Sequence, residues 1–329
     1  MESARAVQWP DDVDEILGGD LTVAIGMPTG MQGVSLSTVT TLGMRDRDAG
    51  TVTFTTSLGF GRKLERIADD PRIAVAYHTR QHGRTDRPGY VLVQGRASVR
   101  GPATMTAEEM ADIQDRAGRF MGQTASGWFW DRWLRVYYYD RVKVNITAER
   151  VLWWPDGDTT KHPEVFGAAL PEATVPDQDP PREATVARVP VDKTLKGAHK
   201  LPHQLIGVVQ ADGRPLVLPT QTSGRGGDAL RLDVPSPLLP RGSRRAGFLA
   251  HDFRPGLVGL ANATHTGWLQ AGGERQVRWT PHTRRAFVTP PNKTLLLLAN
   301  GFMARRGYRK ALAQGRDEIV SHAEDTLQA

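Results

Sequence analysis

Residues 51–99 constrain this chain more than any other stretch. They open with TVTFTTS, where Val52 and Phe54 alternate with polar neighbours before three hydroxyls in a row, Thr55, Thr56 and Ser57. Alternation of period two reads as a half-buried strand, and this one ends in hydrogen-bonding side chains. A glycine-bracketed turn follows at Gly59-Phe60-Gly61, and Arg62 and Lys63 then open a segment, KLERIADD, with Leu64 and Ile67 on one helical face and Pro71 as its stop. Hydroxyls, free backbone donors and two cations therefore meet where a strand gives way to a helix. Such a meeting suits a phosphate dianion. Strands over 72–78 and 90–99 complete the unit.

The order of these pieces is a strand, T-[TS]-x-x-x-x-[RK]-K, a short helix, D-P-R-[IV]-A-V, a strand, and V-x-G-x-A. It resembles the pyridoxamine 5′-phosphate oxidase-like split barrels, a superfamily that includes FMN-dependent and deazaflavin-dependent oxidoreductases. The match covers residues 21 to about 155, and the I-T-A-E-R-V-x-x-W run ending at Trp154 is again similar. The resemblance implies a mainly β (α+β) fold, a split β-barrel. It implies that Thr55, Thr56, Ser57, Arg62 and Lys63 hold the phosphate of FMN or of the deazaflavin F420, and that Gln94 lies near the ring. It also implies hydride transfer at that ring to a small organic substrate, with no side chain singled out as catalytic. Two other readings stay open: a non-catalytic carrier or sensor of flavin or haem, and a structural barrel without a ligand.

The second half repeats the first in outline. LIGVVQADGRPLVLPTQT has the strand, turn, strand order of LTVAIGMPTGMQGVSLSTVT. ALRLDVPS stands where TVTFTTS stood, RRAGFLAHDF where PRIAVAYHT stood, and RQVRWTPHTRRAFVTPP where VKVNITAERVLWWPD stood. Two tandem split barrels with flanking helices are therefore expected. Their parts would be a flavin-binding domain over 1–155 that closes with a bent strand pair over 143–154, a Pro-rich linker over 156–190, a degenerate second barrel over 191–291 and a helical tail over 292–329. A tandem chain would form within itself the pair that such barrels resemble, so a monomer with an internal pseudo-dimer or a homodimer is expected. The second copy lacks the hydroxyl run, and PSPLLPRGSRRAG replaces the Arg-Lys helix. Arg241, Arg244 and Arg245 could reach an anion there, yet the prolines deny a helical terminus that would present backbone donors.

Composition narrows the rest. The 329 residues exceed the usual ~100–150 of one domain. A formal charge of +6 on an arginine-rich chain fits either a coding bias or an anionic ligand. Cysteine is absent, which excludes disulfides, thiolate chemistry and cysteine-based metal sites. His78 and His82 are four apart, but Gly83 and Pro88 oppose the helix that metal binding at that spacing needs, so no metal is expected. Arg80, Arg84 and Arg87 in the same loop would suit the longer acidic tail of a deazaflavin. Ser35, Ser37 and Thr38 form a small polar set that faces either a ligand or solvent.

The aromatic run WFWDRWLRVYYY reads as packing between a helix and a barrel or a partner. The basic RRGYRK is too short for a nucleic-acid surface, so no nucleic-acid partner is expected. Signatures of serine hydrolases, P-loop enzymes and Rossmann domains are missing. The opening residues lack a leader pattern, and the apolar run 295–299 is too short to cross a bilayer. A soluble, cytoplasmic protein without a membrane partner is expected.

Overall fold

The computed structural model describes residues 6–57, 61–122, 125, 127–138, 141–171, 175–272 and 276–314. Helix α1 (Asp11–Gly19) leads into the hairpin β1 (Val23–Pro28) and β2 (Val34–Val39), followed by β3 (Arg45–Asp46) and β4 (Thr51–Ser57). Then come α2 (Gly61–Asp69), β5 (Arg72–Tyr77), β6 (Tyr90–Arg100), α3 (Ala107–Met121) and α4 (Trp128–Tyr138). Strands β7 (Arg141–Trp154) and β8 (Glu164–Gly167) close the first half. The second half runs α5 (Val191–Ala198), β9 (His203–Val209), β10 (Pro215–Pro219), β11 (Gln221–Gly226) and β12 (Ala229–Asp233). It ends with β13 (Gly242–Asp252), β14 (Ala261–Ala271), β15 (Gln276–Val288) and α6 (Lys293–Ala313).

These strands form two antiparallel sheets. The first is ordered β2-β1-β5-β6-β7-β4-β3, with β8 added beside β7, and the second is ordered β10-β9-β13-β14-β15-β12-β11. Each strand of the second sheet occupies the place held in the first by the strand eight earlier in the chain. The tandem duplication read from sequence is therefore present strand for strand. Finer detail agrees. Both central pairs carry an irregularity at the same place, Gln94/Gly95 in β6 and Thr266/Gly267 in β14. Each glycine is required there, because a Cβ would run into the backbone carbonyl of Thr147 or of Thr280.

The two sheets share a core. Ala24, Leu36 and Ala74 of the first half cluster with Leu205, Val217 and Phe248 of the second. Close approach depends on two glycines at corresponding positions: a Cβ on Gly26 would lie 2.7 Å from Val217, and one on Gly207 would lie 2.8 Å from Val34. A second cluster, built on Val52, Phe54, Val75, Val93 and Val144, fills the first half alone.

Local chemistry explains the elements around the site. Leu64 and Ile67 bury one face of α2, and the Asp70 carboxylate then accepts from the Arg72 backbone and guanidinium, turning the chain into β5. Thr106 and Glu109 form a reciprocal capping box on α3. Thr106→Ala is expected to cost about 1 kcal/mol in urea unfolding, with Thr106→Ser close to wild type.

Two expectations need correction. Residues 143–154 belong to one 14-residue strand, β7, whose bend is the bulge opposite Gln94/Gly95. The Pro-rich stretch also contributes a strand, β8, because Val165 and Phe166 pair with Leu152 and Val151. The expected turn at Gly59-Phe60 and the tail beyond residue 314 lie outside the described residues.

Candidate anion site

Strand β4 runs antiparallel to β7, with Thr55 opposite Lys143 and Ser57 opposite Arg141. Register therefore brings a residue of β7 to the hydroxyl run. Arg141 donates from Nη2 to the Thr55 Oγ1 at 2.6 Å and from Nη1 to the Tyr137 carbonyl at 3.3 Å, and its guanidinium lies 5.5 Å from the Tyr137 ring centroid. All three contacts are with neutral groups. The Lys63 ammonium on α2 is pushed down to about 8, first by burial and then by the like charge of Arg141. Burial lowers Arg141 as well. The Thr55 hydroxyl and the Arg141 guanidinium thus meet, and Lys63 feels the charge of Arg141.

That place opens on a cavity of about 160 Å³ bounded by Leu42, Thr55, Ile113, Met121, Tyr138 and Arg141, with Asp131 at its wall. Helix α2 is tied to the sheet by a second cation, since Arg66 donates to Ser35 Oγ at 2.6 Å. Lys63 and Arg66 are three residues apart and share a helix face. Burial also lowers Arg66, with Arg62 adding like charge. The other half reaches the same strand from the far side, where Asn262 Nδ2 donates to Thr38 Oγ1 at 2.7 Å. Ser35 and Thr38 therefore face neighbouring protein rather than bulk solvent.

The residues expected at the site are not all gathered there. Thr55, Thr56 and Ser57 are buried at the end of β4, Thr55 accepts from Arg141, and Lys63 feels the charge of Arg141. Arg62 points to solvent. Gln94 is elsewhere, fully buried in the seam between the halves. Its amide donates to Gln210 Oε1 and to the Pro215 carbonyl, both at 2.8 Å, and its carbonyl accepts from Arg150 at 2.9 Å. Arg150 continues to Asp212, Asp212 to Arg214, and Arg214 to Glu149. This network uses both amide protons of Gln94 and one acceptor position of its carbonyl.

The loop arginines are also occupied. Arg80 pairs with the buried Asp20, whose carboxyl is raised to about 7 because burial outweighs Arg80. Arg87 pairs with Asp12 and Glu15, and Arg84 donates to the Arg119 carbonyl. The suggested contact with an acidic tail is withdrawn on that ground. The aromatic run on α4 packs against α6, with Trp133 Nε1 donating to the Leu298 carbonyl at 3.2 Å.

Aligning the sheets on Gly95 and Gly267 places Asp233 where Thr55 stands, Val234 where Thr56 stands and Pro235 where Ser57 stands. No helix joins β12 to β13 in place of α2. The same alignment equates His78 with His251, and these two meet across the seam with their Nε2 atoms 2.7 Å apart. The His78 Nδ1–H donates to the Ala76 carbonyl, so its Nε2 accepts from His251. His203 lies beside them, 5.0 Å from His251 between ring centroids, with Nε2 on the Gln81 Oε1. Among the described residues no group of three or more side chains is arranged to hold a metal ion.

No family model matches the chain, and no curated protein matches it. Solved structures do. An FMN-binding, pyridoxamine 5′-phosphate oxidase-related protein of Nostoc punctiforme is 9% identical, with 40% of this chain and 73% of its own aligned at a TM-score of 0.26. A Clostridium acetobutylicum protein related to general stress protein 26, of the pyridoxinephosphate oxidase family, is 12% identical over 47% of this chain and 92% of its own, at 0.32.

The chain resembles the pyridoxamine 5′-phosphate oxidase-like split barrels.

A haem-binding protein from Mycobacterium smegmatis aligns along both copies, covering 92% of this chain and 99% of its own at 15% identity and a TM-score of 0.32. The Nostoc and Clostridium proteins align with less than half of this chain.

Proposed function

We propose that the first half holds the phosphate of a flavin-type cofactor and that the chain is a flavin-dependent or deazaflavin-dependent oxidoreductase. The observation that carries this reading is Arg141, held by the Thr55 hydroxyl at a cavity wall and close enough for its charge to be felt by Lys63. A guanidinium drawn out of water between a hydroxyl and a carbonyl is stabilised further by an anion at its remaining donors. A phosphate is the anion whose geometry matches a guanidinium fork, an ammonium and a hydroxyl. The cofactor class comes from the order of motifs over residues 21–155. When bound, such a cofactor supplies the hydride-transfer chemistry.

The chain's own residues have simpler tasks. Arg141 and Lys63 neutralise the anion, and Thr55 fixes the guanidinium by accepting from it, which leaves its own proton to donate. Arg66 and Ser35 hold α2 against β2, so Lys63 is presented from a fixed helix. At about 160 Å³ the cavity is smaller than the ~300–1,000 Å³ of a whole small-molecule site, so these residues account for the anionic end of the ligand. With Arg80 and Arg87 paired to acids of the fold, FMN is the first cofactor to test and F420 the second.

Titration with each, followed by absorbance and flavin fluorescence, is expected to show saturable binding that inorganic phosphate competes away. Failure of both to bind would leave the structural-barrel reading standing. Binding without turnover by any reductant would instead support a carrier or sensor.

A further inference from the structure

Among the described residues, eleven large hydrophobics are exposed, and all but Met31, Val165 and Val186 lie on α4, on α6 or at the end of β15. Two of these elements are packed together. The Trp133 indole of α4 donates to the Leu298 carbonyl, and the Arg305 guanidinium lies 4.7 Å from the Trp133 ring centroid. Leu296, Leu297, Gly301 and Ala304 mark the buried side of α6. Its opposite side presents Leu295, Phe302, Arg306 and Arg309, whose spacings of seven, four and three keep them in one stripe. Leu295 is 55% exposed and Phe302 57%, while Trp128 at the start of α4 is 81% exposed.

The stripe has two chemistries. Its first half is apolar, and its second half is basic, with Arg306, Arg309 and Lys310 all exposed. Across its 21 residues α6 has no aspartate or glutamate. An apolar segment that continues into positive charge, with no acid on the same helix, matches a surface with an anionic face and a hydrocarbon interior. Arginine stems cover apolar ground while their heads stay at the charged level. A second copy of the chain is a poorer match, because it would set one basic stripe against another. No described helix is long and apolar enough to cross a membrane, so α6 would lie along one.

We propose that the outer faces of α4 and α6 dock the protein on an anionic lipid bilayer. This docking departs from the absence of a membrane partner expected from the sequence. Peripheral docking requires only an exposed stripe of this composition.

The test is co-sedimentation of the full chain with vesicles of phosphatidylcholine alone or mixed with phosphatidylglycerol. Binding is expected to rise with phosphatidylglycerol and to fall with added salt, with a blue shift of tryptophan emission. Arg306→Gln with Arg309→Gln should weaken partitioning to the anionic vesicles about thirtyfold, the scale of two basic side chains near such a surface. Phe302→Ser with Met303→Ser should abolish the emission shift while the melting temperature stays within a few degrees of wild type. Both pairs are exposed, so folding is preserved. Absence of binding to phosphatidylglycerol vesicles at low salt would overturn the proposal. A dimer in solution that Phe302→Ser breaks, with no vesicle binding, would assign the face to a second copy and overturn it equally.

Discussion

Replacing Arg141 by alanine is expected to weaken FMN binding about 10- to 150-fold, the scale of one hydrogen bond to a charged group at roughly 1.5–3 kcal/mol. Lys63→Ala should cost a similar amount, and Arg62→Ala little, because Arg62 points to solvent. Arg141 also braces Thr55 and Tyr137, so a fold effect must be separated from a ligand effect. Arg141→Lys keeps the charge and loses the fork, and should fall between wild type and alanine.

The pH dependence makes the assignment sharper. In the free protein Lys63 loses its proton at about 8, and only the ammonium attracts an anion. Affinity is therefore expected to be level between about pH 7 and 8, where the phosphate stays a dianion, and to drop above it towards that of Lys63→Ala. In Lys63→Ala that decline should vanish. If the decline persists in the variant, the anion is held elsewhere.

Acidification should separate the two halves. Burial first, then His203 and Arg80, push His78 down to about 3, and burial with the charges of His78 and His203 lowers His251 further. Both are neutral when folded and take up a proton near 6.5 when unfolded. The unfolded state thus binds more protons below about 6.5, so stability is complete above that pH and is lost as pH falls towards the folded values. Each such histidine contributes a slope of up to ~1.4 kcal/mol per pH unit. Asp20 opposes them, because its raised carboxyl takes a proton in the folded state between 7 and its ordinary value of 3.8.

Two histidines against one aspartate leave a net loss of roughly 1.4 kcal/mol per unit between pH 6 and 4 from these three groups. His203, His265 and His282 are also lowered by burial and add to the loss. Arg80 and Asp252 are the charged groups that act on this cluster. Denaturant midpoints measured from pH 7 to pH 4.5 should fall steeply in wild type. In the His78→Gln, His251→Gln double variant they should fall less steeply by up to about 3 kcal/mol per unit. An equal slope in both proteins would show that the seam imidazoles do not govern the acid response.

Much of the architecture was legible in the sequence because period-two runs, prolines and the DPR turn fix strands locally. The repeat was visible for the same reason, since each strand of one copy has a counterpart of similar pattern. What escaped was information carried between strands. Arg141 belongs to the site only because β7 starts two residues earlier than expected and lies in register with Ser57. Gln94 was assigned to a ring from its strand alone, whereas the groups that consume it, Gln210, Pro215 and Arg150, lie 56 or more residues away. The arginines at 84 and 87 looked available until Arg119 and the acids of α1 were folded against them. His78 and His251 are 173 positions apart, and nothing short of the paired registers equates them.

The covalent joining of the two barrels has a consequence for how they can change. Two separate subunits carrying one gene's sequence must alter both of their half-sites at once, and they part on dilution. Here a single polypeptide keeps the partners at an effective concentration on the order of millimolar, whatever the amount of protein present. Each copy was therefore free to drift independently, and an acid could settle at 233 while a hydroxyl remained at 55.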